Sequence, residues 1–353
     1  MKFEILKESK KSKARRGIIY LKNGIKIETP VFMPVATQAT VKALLSKDLD
    51  EIGIKLILSN AYHLFLRPGK EVIEKAGGLH KFMNWKYGIL TDSGGFQIFS
   101  LAKLVKINND GVTFRSHIDG EKIYITPEDI INFQILLGSD IVMSFDQCVG
   151  YPCSENEAKE ALKRTNLWAE RGLKIFRENK KDYQSIFGII QGGFSKELRR
   201  ESAEFITSLN FDGYAIGGLS VGEPYKLTFE ILEDLINYIP KNVPRYFMGL
   251  GSLKEIEKAI NLGIDMFDSV FPTRNARGGA VFTSEGKKQL RNAKYKNCFE
   301  PIDKNCDCFV CKNYTMAYLR HLFMSKEISG IILATYHNIY YLNKKIKEIR
   351  ESI

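Results

Sequence analysis

Residues 185–218 read SIFGIIQGGFSKELRRESAEFITSLNFDGYAIGG. Two short apolar runs, SIFGIIQGG (185–193) and GYAIGG (213–218), bracket an amphipathic stretch of good helix formers, SKELRRESAEFITSL (195–209). A continuous apolar run, a helix and a second apolar run form the pattern of a βαβ unit, whose parallel strands are buried on both faces. The rhythm extends both ways from this unit. Upstream lie VFMPVAT (31–37), LILSN (56–60), GILTD (88–92) and SDIVMSFD (139–146); downstream lie RYFMGLG (245–251) and GIDMFD (263–268). Helical patterns at 155–176, 226–239 and 252–263 separate several of them. Eight such runs predict an α/β fold of the (β/α)8, or TIM barrel, type, whose chemistry sits at the C-terminal strand ends. An open doubly wound sheet is the competitor, but no G-x-G-x-x-G follows the first run, so dinucleotide binding has little support.

Outside this rhythm, residues 17–29 alternate around Asn23-Gly24 and predict an N-terminal β-hairpin. Asn109-Asp110-Gly111 and Asp119-Gly120 mark two more hairpin turns within 105–126. The 353 residues are 44% hydrophobic and 26% charged, an ordinary globular balance that excludes disorder and fibrous repeats. No apolar run nears the roughly 18 residues of a membrane helix. The basic N-terminus, MKFEILKESKKSKARRG, lacks the apolar centre of a secretory signal, so a cytoplasmic location is expected.

The net charge of +11 is concentrated at two places. Residues 2–16 carry seven Lys/Arg against two Glu, and residues 274–326 carry eleven Lys/Arg against four Asp/Glu. Two basic segments flanking a nearly neutral body suit a polyanionic partner such as RNA or DNA. Cys306-x-Cys308-x2-Cys311 lies inside the second segment. Six cysteines are too few for a disulfide scaffold, and three crowded into six positions point to a metal site. His337, His321 and Cys298 are candidates for the fourth ligand. Three thiolates with one imidazole or thiol make a closed, structural zinc arrangement.

Three acids end apolar runs: Asp92 in TDSGGFQ, Asp146 in SDIVMSFD and Asp268 in GIDMFD. A lone strand-end Asp is commonly a helix cap. Three converging on one barrel mouth can instead drive their pKa values apart, leaving one ionised as nucleophile and another protonated as general acid. The pairs Gly94-Gly95 and Gly217-Gly218, which also follow strands, allow a flat ligand to approach main-chain N–H groups.

Taken together, TDSGGFQIFS (91–100), FDQC (145–148), GIIQGG (188–193), AIGGLSVGE (215–223), MGLGS (248–252), DSVFPTRNARGGAVFT (268–283), CDCFVC (306–311) and TYHNIYYL (335–342) give a specific pattern. The chain resembles the tRNA-guanine transglycosylases, or queuine tRNA-ribosyltransferases, over essentially its full length. That resemblance implies a single TIM-barrel catalytic domain over 1–353, with a zinc-binding subdomain at about 285–340 inserted near the C-terminal end. It implies replacement of guanine at the anticodon wobble position of tRNA in queuosine biosynthesis. Asp268 would be the nucleophile, forming a covalent ester with the ribose, and Asp92 the general acid/base. Asp146, Gln191, Gly217, Gly218, Ser93 and Cys148 match base-binding positions, and Phe96 and Met248 those that sandwich the base. Phe96 stands where relatives often have Tyr, which keeps the stacking and loses a hydroxyl. Cys306, Cys308, Cys311 and His337 match the ligands of one structural zinc per subunit. Arg274 and Arg277 match positions near the ribose-phosphate, and Lys287, Lys288, Arg291 and Lys294 of the basic insertion are expected to meet phosphates.

Cys148 and Val221 resemble the bacterial pattern, implying 7-aminomethyl-7-deazaguanine as incoming base. Archaeal relatives usually carry extra C-terminal RNA-binding domains, a poor match to a chain ending at Ile353. Ser269, where many relatives have Cys, and Gly278, where bacterial ones often have Asn, are departures beside the nucleophile. The family further implies a homodimer and no membrane partner. A non-catalytic tRNA-binding subunit of the same family is the alternative. It loses key acids, whereas Asp92 and Asp268 are both present here. A barrel glycosidase acting on sugars or free nucleosides fits the basic flanks and the metal motif less well.

Overall fold

The eight apolar runs pair edge to edge and close on themselves. In the computed structural model, which describes residues 1–353, the barrel strands are β1 (Val31–Ala36), β2 (Leu56–Asn60), β3 (Gly88–Asp92), β4 (Ile141–Met143), β5 (Ser185–Ile190), β6 (Gly213–Ile216), β7 (Arg245–Phe247) and β8 (Met266–Ser269). All are parallel, each pairs with the next in sequence, and β8 returns to β1. The expected (β/α)8 barrel is the fold observed.

Period-two alternation divides each strand between two cores. Ile57, Ile89, Val142, Ile186, Phe247 and Phe267 face the surrounding helices and join the larger apolar cluster. Leu56, Leu58, Leu90, Ile141, Phe187, Ile189, Tyr246 and Met266 form a second cluster that fills the lumen. The same parity carries Asn60, Asp92, Gln191 and Asp268 to the lumen side at the C-terminal mouth.

The lumen is plugged from the N-terminal side. Strands Arg15–Tyr20 and Lys26–Thr29 form an antiparallel hairpin around Asn23-Gly24, whose Ile19, Leu21 and Ile27 belong to the lumen cluster. A further strand, Lys2–Glu8, pairs on the hairpin's outer edge. Between β3 and β4 the chain makes a three-stranded antiparallel excursion, Lys103–Ile107, Val112–Arg115 and Lys122–Ile125. It returns through helix Pro127–Leu137, started by a Thr126–Asp129 capping box. After β8, helix Phe271–Arg277 leads to a hairpin (Ala280–Thr283 with Gly286–Gln289), the cysteine loop and the closing helix Ile328–Ser352. Ile302, Val310 and Leu319 of this region share the larger core with the barrel.

Candidate active site and metal centre

Register places Asn60 directly beside Asp92 on β2 and β3. The Asn60 amide donates to one Asp92 carboxylate oxygen, and the Ala61 N–H donates to the other at 3.0 Å. No cation neutralises this carboxyl. Burial, reinforced by the negative charges of Asp268 and Asp146, pushes its pKa up to about 8. Asp92 is therefore mostly protonated at neutral pH.

Asp146 follows β4 and is equally buried. It accepts from the Ser93 hydroxyl at 2.7 Å and from the Gln191 side-chain amide at 2.7 Å, while burial raises its pKa. Gly95 is required here, because a Cβ at that position would overlap the Asp146 carbonyl. Fixing the Gln191 amide on Asp146 leaves the buried Gln191 Oε1 with no partner in the protein. Gly217 and Gly218 pack on the same carboxamide, and Gly218 adopts a φ of +66°.

Asp268, on β8, is half-buried and keeps an open side toward the mouth. One oxygen accepts both the Tyr246 hydroxyl at 2.6 Å and the Gly249 N–H at 2.8 Å. Burial raises its pKa and these two donors oppose the rise. Tyr246 is fully buried, and burial together with the Asp268 charge holds its hydroxyl well above its ordinary pKa, so it remains a neutral donor.

The other anticipated positions differ in exposure and partners. Phe96, 45% exposed, sits in the first turn of the helix following Asp92, and Met248 is half-buried just after β7. Cys148 is buried, its thiol pushed up to about 12 by that burial. Of the cations, Arg274 and Lys287 are exposed and make no side-chain ion pair. Arg277 bonds to Thr273, Arg291 lies over the Phe323 ring and Lys294 over the Tyr295 ring. Lys288 is largely committed internally, to the Ile302 carbonyl at 3.2 Å and Glu285 at 3.0 Å. Two residues the sequence reading did not single out complete the centre: Asn60 on Asp92, and Tyr246 on Asp268. Asn60 could have been found as the polar end of LILSN; Tyr246, inside RYFMGLG, has no such signal.

Cys306, Cys308, Cys311 and His337 converge with their ligand atoms within 4.8 Å of one another. From His337 Nδ1 to the three sulfurs the distances are 4.0, 3.4 and 3.4 Å. A tetrahedral ion with ordinary thiolate and imidazole bond lengths requires a separation of about 3.5 Å between nitrogen and sulfur. His337 Nε2 lies 2.7 Å from the Phe282 carbonyl, which fixes the proton there and leaves the Nδ1 lone pair for a metal. The donor set and its spacing thus fit a four-coordinate metal ion. His321 is exposed and lies outside the cluster, as does Cys298.

The closed barrel, its acidic mouth and a Cys3His cluster able to hold a metal ion define a TIM-barrel protein with a separate metal-binding excursion. The chain belongs to the queuine tRNA-ribosyltransferase family, whose sequence model matches residues 9–353. The queuine tRNA-ribosyltransferase of Caldanaerobacter subterraneus subsp. tengcongensis is 55% identical over 353 residues, spanning 100% of this chain and 93% of that protein. That of Aquifex aeolicus is 50% identical over 364 residues (100% and 94%), and that of Geobacillus kaustophilus 49% identical over 353 residues (100% and 92%). No helix is long and apolar enough to cross a membrane.

Proposed function

We propose that this enzyme replaces guanine at the anticodon wobble position of tRNA with 7-aminomethyl-7-deazaguanine, through a covalent ester between Asp268 and the ribose. The Asp268 carboxylate attacks C1′ from the face opposite the base. Asp92, as the neutral acid, gives its proton to the departing guanine. It then takes a proton from the incoming base, whose ring nitrogen displaces Asp268. Two inversions retain the anomeric configuration. The observation that carries this reading is the different surroundings of the two acids, one on an amide and one N–H deep in the mouth, the other half-open on a phenol and one N–H. Asp92, at about 8, is poised to donate at neutral pH, while two donors favour the charged form of the half-open Asp268.

The mouth also suits guanine. Asp146 and the unpartnered Gln191 Oε1 accept, as the N–H groups of a purine edge require, while main-chain N–H groups near Gly218 can serve its carbonyl oxygen. Phe96 and Met248 offer apolar faces for the ring, and Ser93 and Cys148 line the Asp146 side. Arg274, Arg277, Lys287, Lys288, Arg291 and Lys294 are the cations assigned to tRNA, with Lys288 the least free among them.

The metal ion is assigned as zinc, one per chain, held by three thiolates and His337. Bound there it neutralises the thiolates and leaves no open position for chemistry. His337 belongs to the closing helix Ile328–Ser352, so the site ties the cysteine loop of the basic subdomain of about 285–340 to that helix. Elemental analysis giving one zinc per chain checks this. The resemblance further assigns a homodimer acting in the cytoplasm, the first of which sedimentation tests.

The decisive experiment is incorporation of labelled guanine into tRNA carrying wobble guanine. The parent chain is expected to exchange label and to give a tRNA adduct that survives denaturation. Asp268→Ala is expected to show neither. Exchange by that variant at the parental rate refutes the assignment.

A further inference from the structure

Arg199 is completely buried, yet no carboxylate pairs with it. Its guanidinium instead spans four main-chain carbonyls. Nε donates to Gly193 (2.9 Å), Nη1 to Ile190 (3.1 Å) and Gly217 (2.7 Å), and Nη2 to Gly218 (3.1 Å). These carbonyls belong to the ends of β5 and β6, the strands that carry Gln191 and the Gly217-Gly218 turn. Burial lowers the pKa of Arg199 to about 10, so it remains a cation at neutral pH. Glu223 supports the charge without forming an ion pair with it, and keeping a cation in the interior without a paired carboxylate costs several kcal/mol. Neutral amide donors could join two loops without that cost; what the cation adds is polarisation of the peptides it holds.

The direction of that polarisation follows from peptide geometry. The carbonyl and N–H of a trans peptide point in opposite directions, and neither peptide here is cis. Drawing the Gly217 and Gly218 carbonyls onto Arg199 turns the N–H groups of Gly218 and Leu219 away from it. Both residues are buried, and neither N–H finds an acceptor in the protein. Unpaired buried N–H groups are rare, and two in succession beside the free Gln191 Oε1 mark a surface prepared for a ligand.

We infer that Arg199 is a positioning residue for base recognition: it pins and polarises the Gly217 and Gly218 peptides so that the N–H groups of Gly218 and Leu219 can donate to the carbonyl oxygen of a purine. This rests on the assignment of the mouth to guanine exchange given above.

The test uses the metal-loaded full chain carrying Arg199→Lys or Arg199→Gln, compared with the parent in guanine exchange. In a variant with parental thermal midpoint and metal content, KM for guanine should rise about tenfold or more, while KM for tRNA stays within about twofold. Inhibition by 2-aminopurine, which lacks the 6-oxygen, should not change. A folded variant with parental KM for guanine, or one in which both KM values move together, overturns the inference. Absence of exchange by the parent would instead count against the proposed function. In that case, or if neither variant folds, amide hydrogen exchange of the parent decides. Protection of Gly218 and Leu219 on adding guanine supports the inference, and unchanged exchange of both overturns it.

Discussion

Two acids three residues apart, one just before β8 and one within it, have opposite surroundings. Asp265, at the N-terminal entry to β8, is clamped by both arms of Arg15 (2.9 and 2.6 Å) and accepts the Arg245 N–H at 2.7 Å. Asp268, at the other end, receives only a phenol and one backbone N–H. The contrast recurs at β4. Asp140, before it, is held by Asn23 (2.6 Å), the Ile89 N–H (2.8 Å) and His80 (3.1 Å), whereas Asp146, beyond it, has only Ser93 and Gln191. Floor acids knit the N-terminal hairpin and neighbouring strands together. Mouth acids have no cation beside them, and Asp92 and Asp146 are buried in that state, a costly arrangement that a fold retains where reactivity requires it. The barrel thus separates stability from chemistry along the length of single strands.

Asp92→Asn probes the mouth with the largest expected effect in this comparison. Removing a general acid slows chemistry by about 10²–10⁴-fold. In the parent, the step that needs protonated Asp92 should weaken as pH rises past about 8. Stability carries an independent sign. The folded pKa lies above the ordinary 3.8, so the associated stabilisation is complete below that value and is lost as pH rises through about 8. The parent's thermal midpoint should therefore fall more between pH 5 and 9 than that of Asp92→Asn. Parallel pH curves would show that Asp92 is not held protonated.

The floor is probed by Asp265→Ala. It leaves Arg15 buried and unpaired and should cost about 3–5 kcal/mol of unfolding free energy, with turnover per folded molecule retained. Asp268→Ala strands no cation, only the Tyr246 hydroxyl and the Gly249 N–H, and should cost less, about 1–3 kcal/mol. Chemical denaturation of both variants compares the two ends of β8 directly. Equal losses would mean that the strand does not divide its roles.

The same distinction explains what could be read from sequence. All eight barrel strands were visible, because parallel strands buried on both faces give unbroken apolar runs. The strand Lys2–Glu8 was not, because it is an exposed edge rich in Lys and Glu. Asp92, Asp146 and Asp268 stood out as polar ends to apolar runs. Tyr246 did not, since an aromatic in RYFMGLG reads as core and only the register of β7 shows its hydroxyl on Asp268. Arg199 and Arg200 form an identical pair in SKELRRES. One is buried on four carbonyls and the other pairs with Asp234 at the surface, a difference set by helix phase against the sheet. For the fourth metal ligand, spacing left three candidates. The choice of His337 depends on a helix that approaches the cysteines only in the folded chain.

Tyr246→Phe has the smallest expected effect and separates two roles for that hydroxyl. The Gly249 N–H remains on Asp268 after the change, so the carboxylate keeps half its support. Losing a donor to the charged form raises the Asp268 pKa. Below that pKa more of the nucleophile is protonated, and exchange should fall by about tenfold, within the range of one hydrogen bond to a charged group. Above it, the carboxylate is ionised in both proteins and is less restrained in the variant, so the deficit should shrink or reverse. The rate-against-pH profile of the variant is therefore expected to shift to higher pH on its acid side and converge with the parent's on its alkaline side. A deficit of equal size at every pH would mean that Tyr246 holds Asp268 in place rather than setting its charge. The mouth would then resemble the floor at this position, where hydrogen bonds fix geometry.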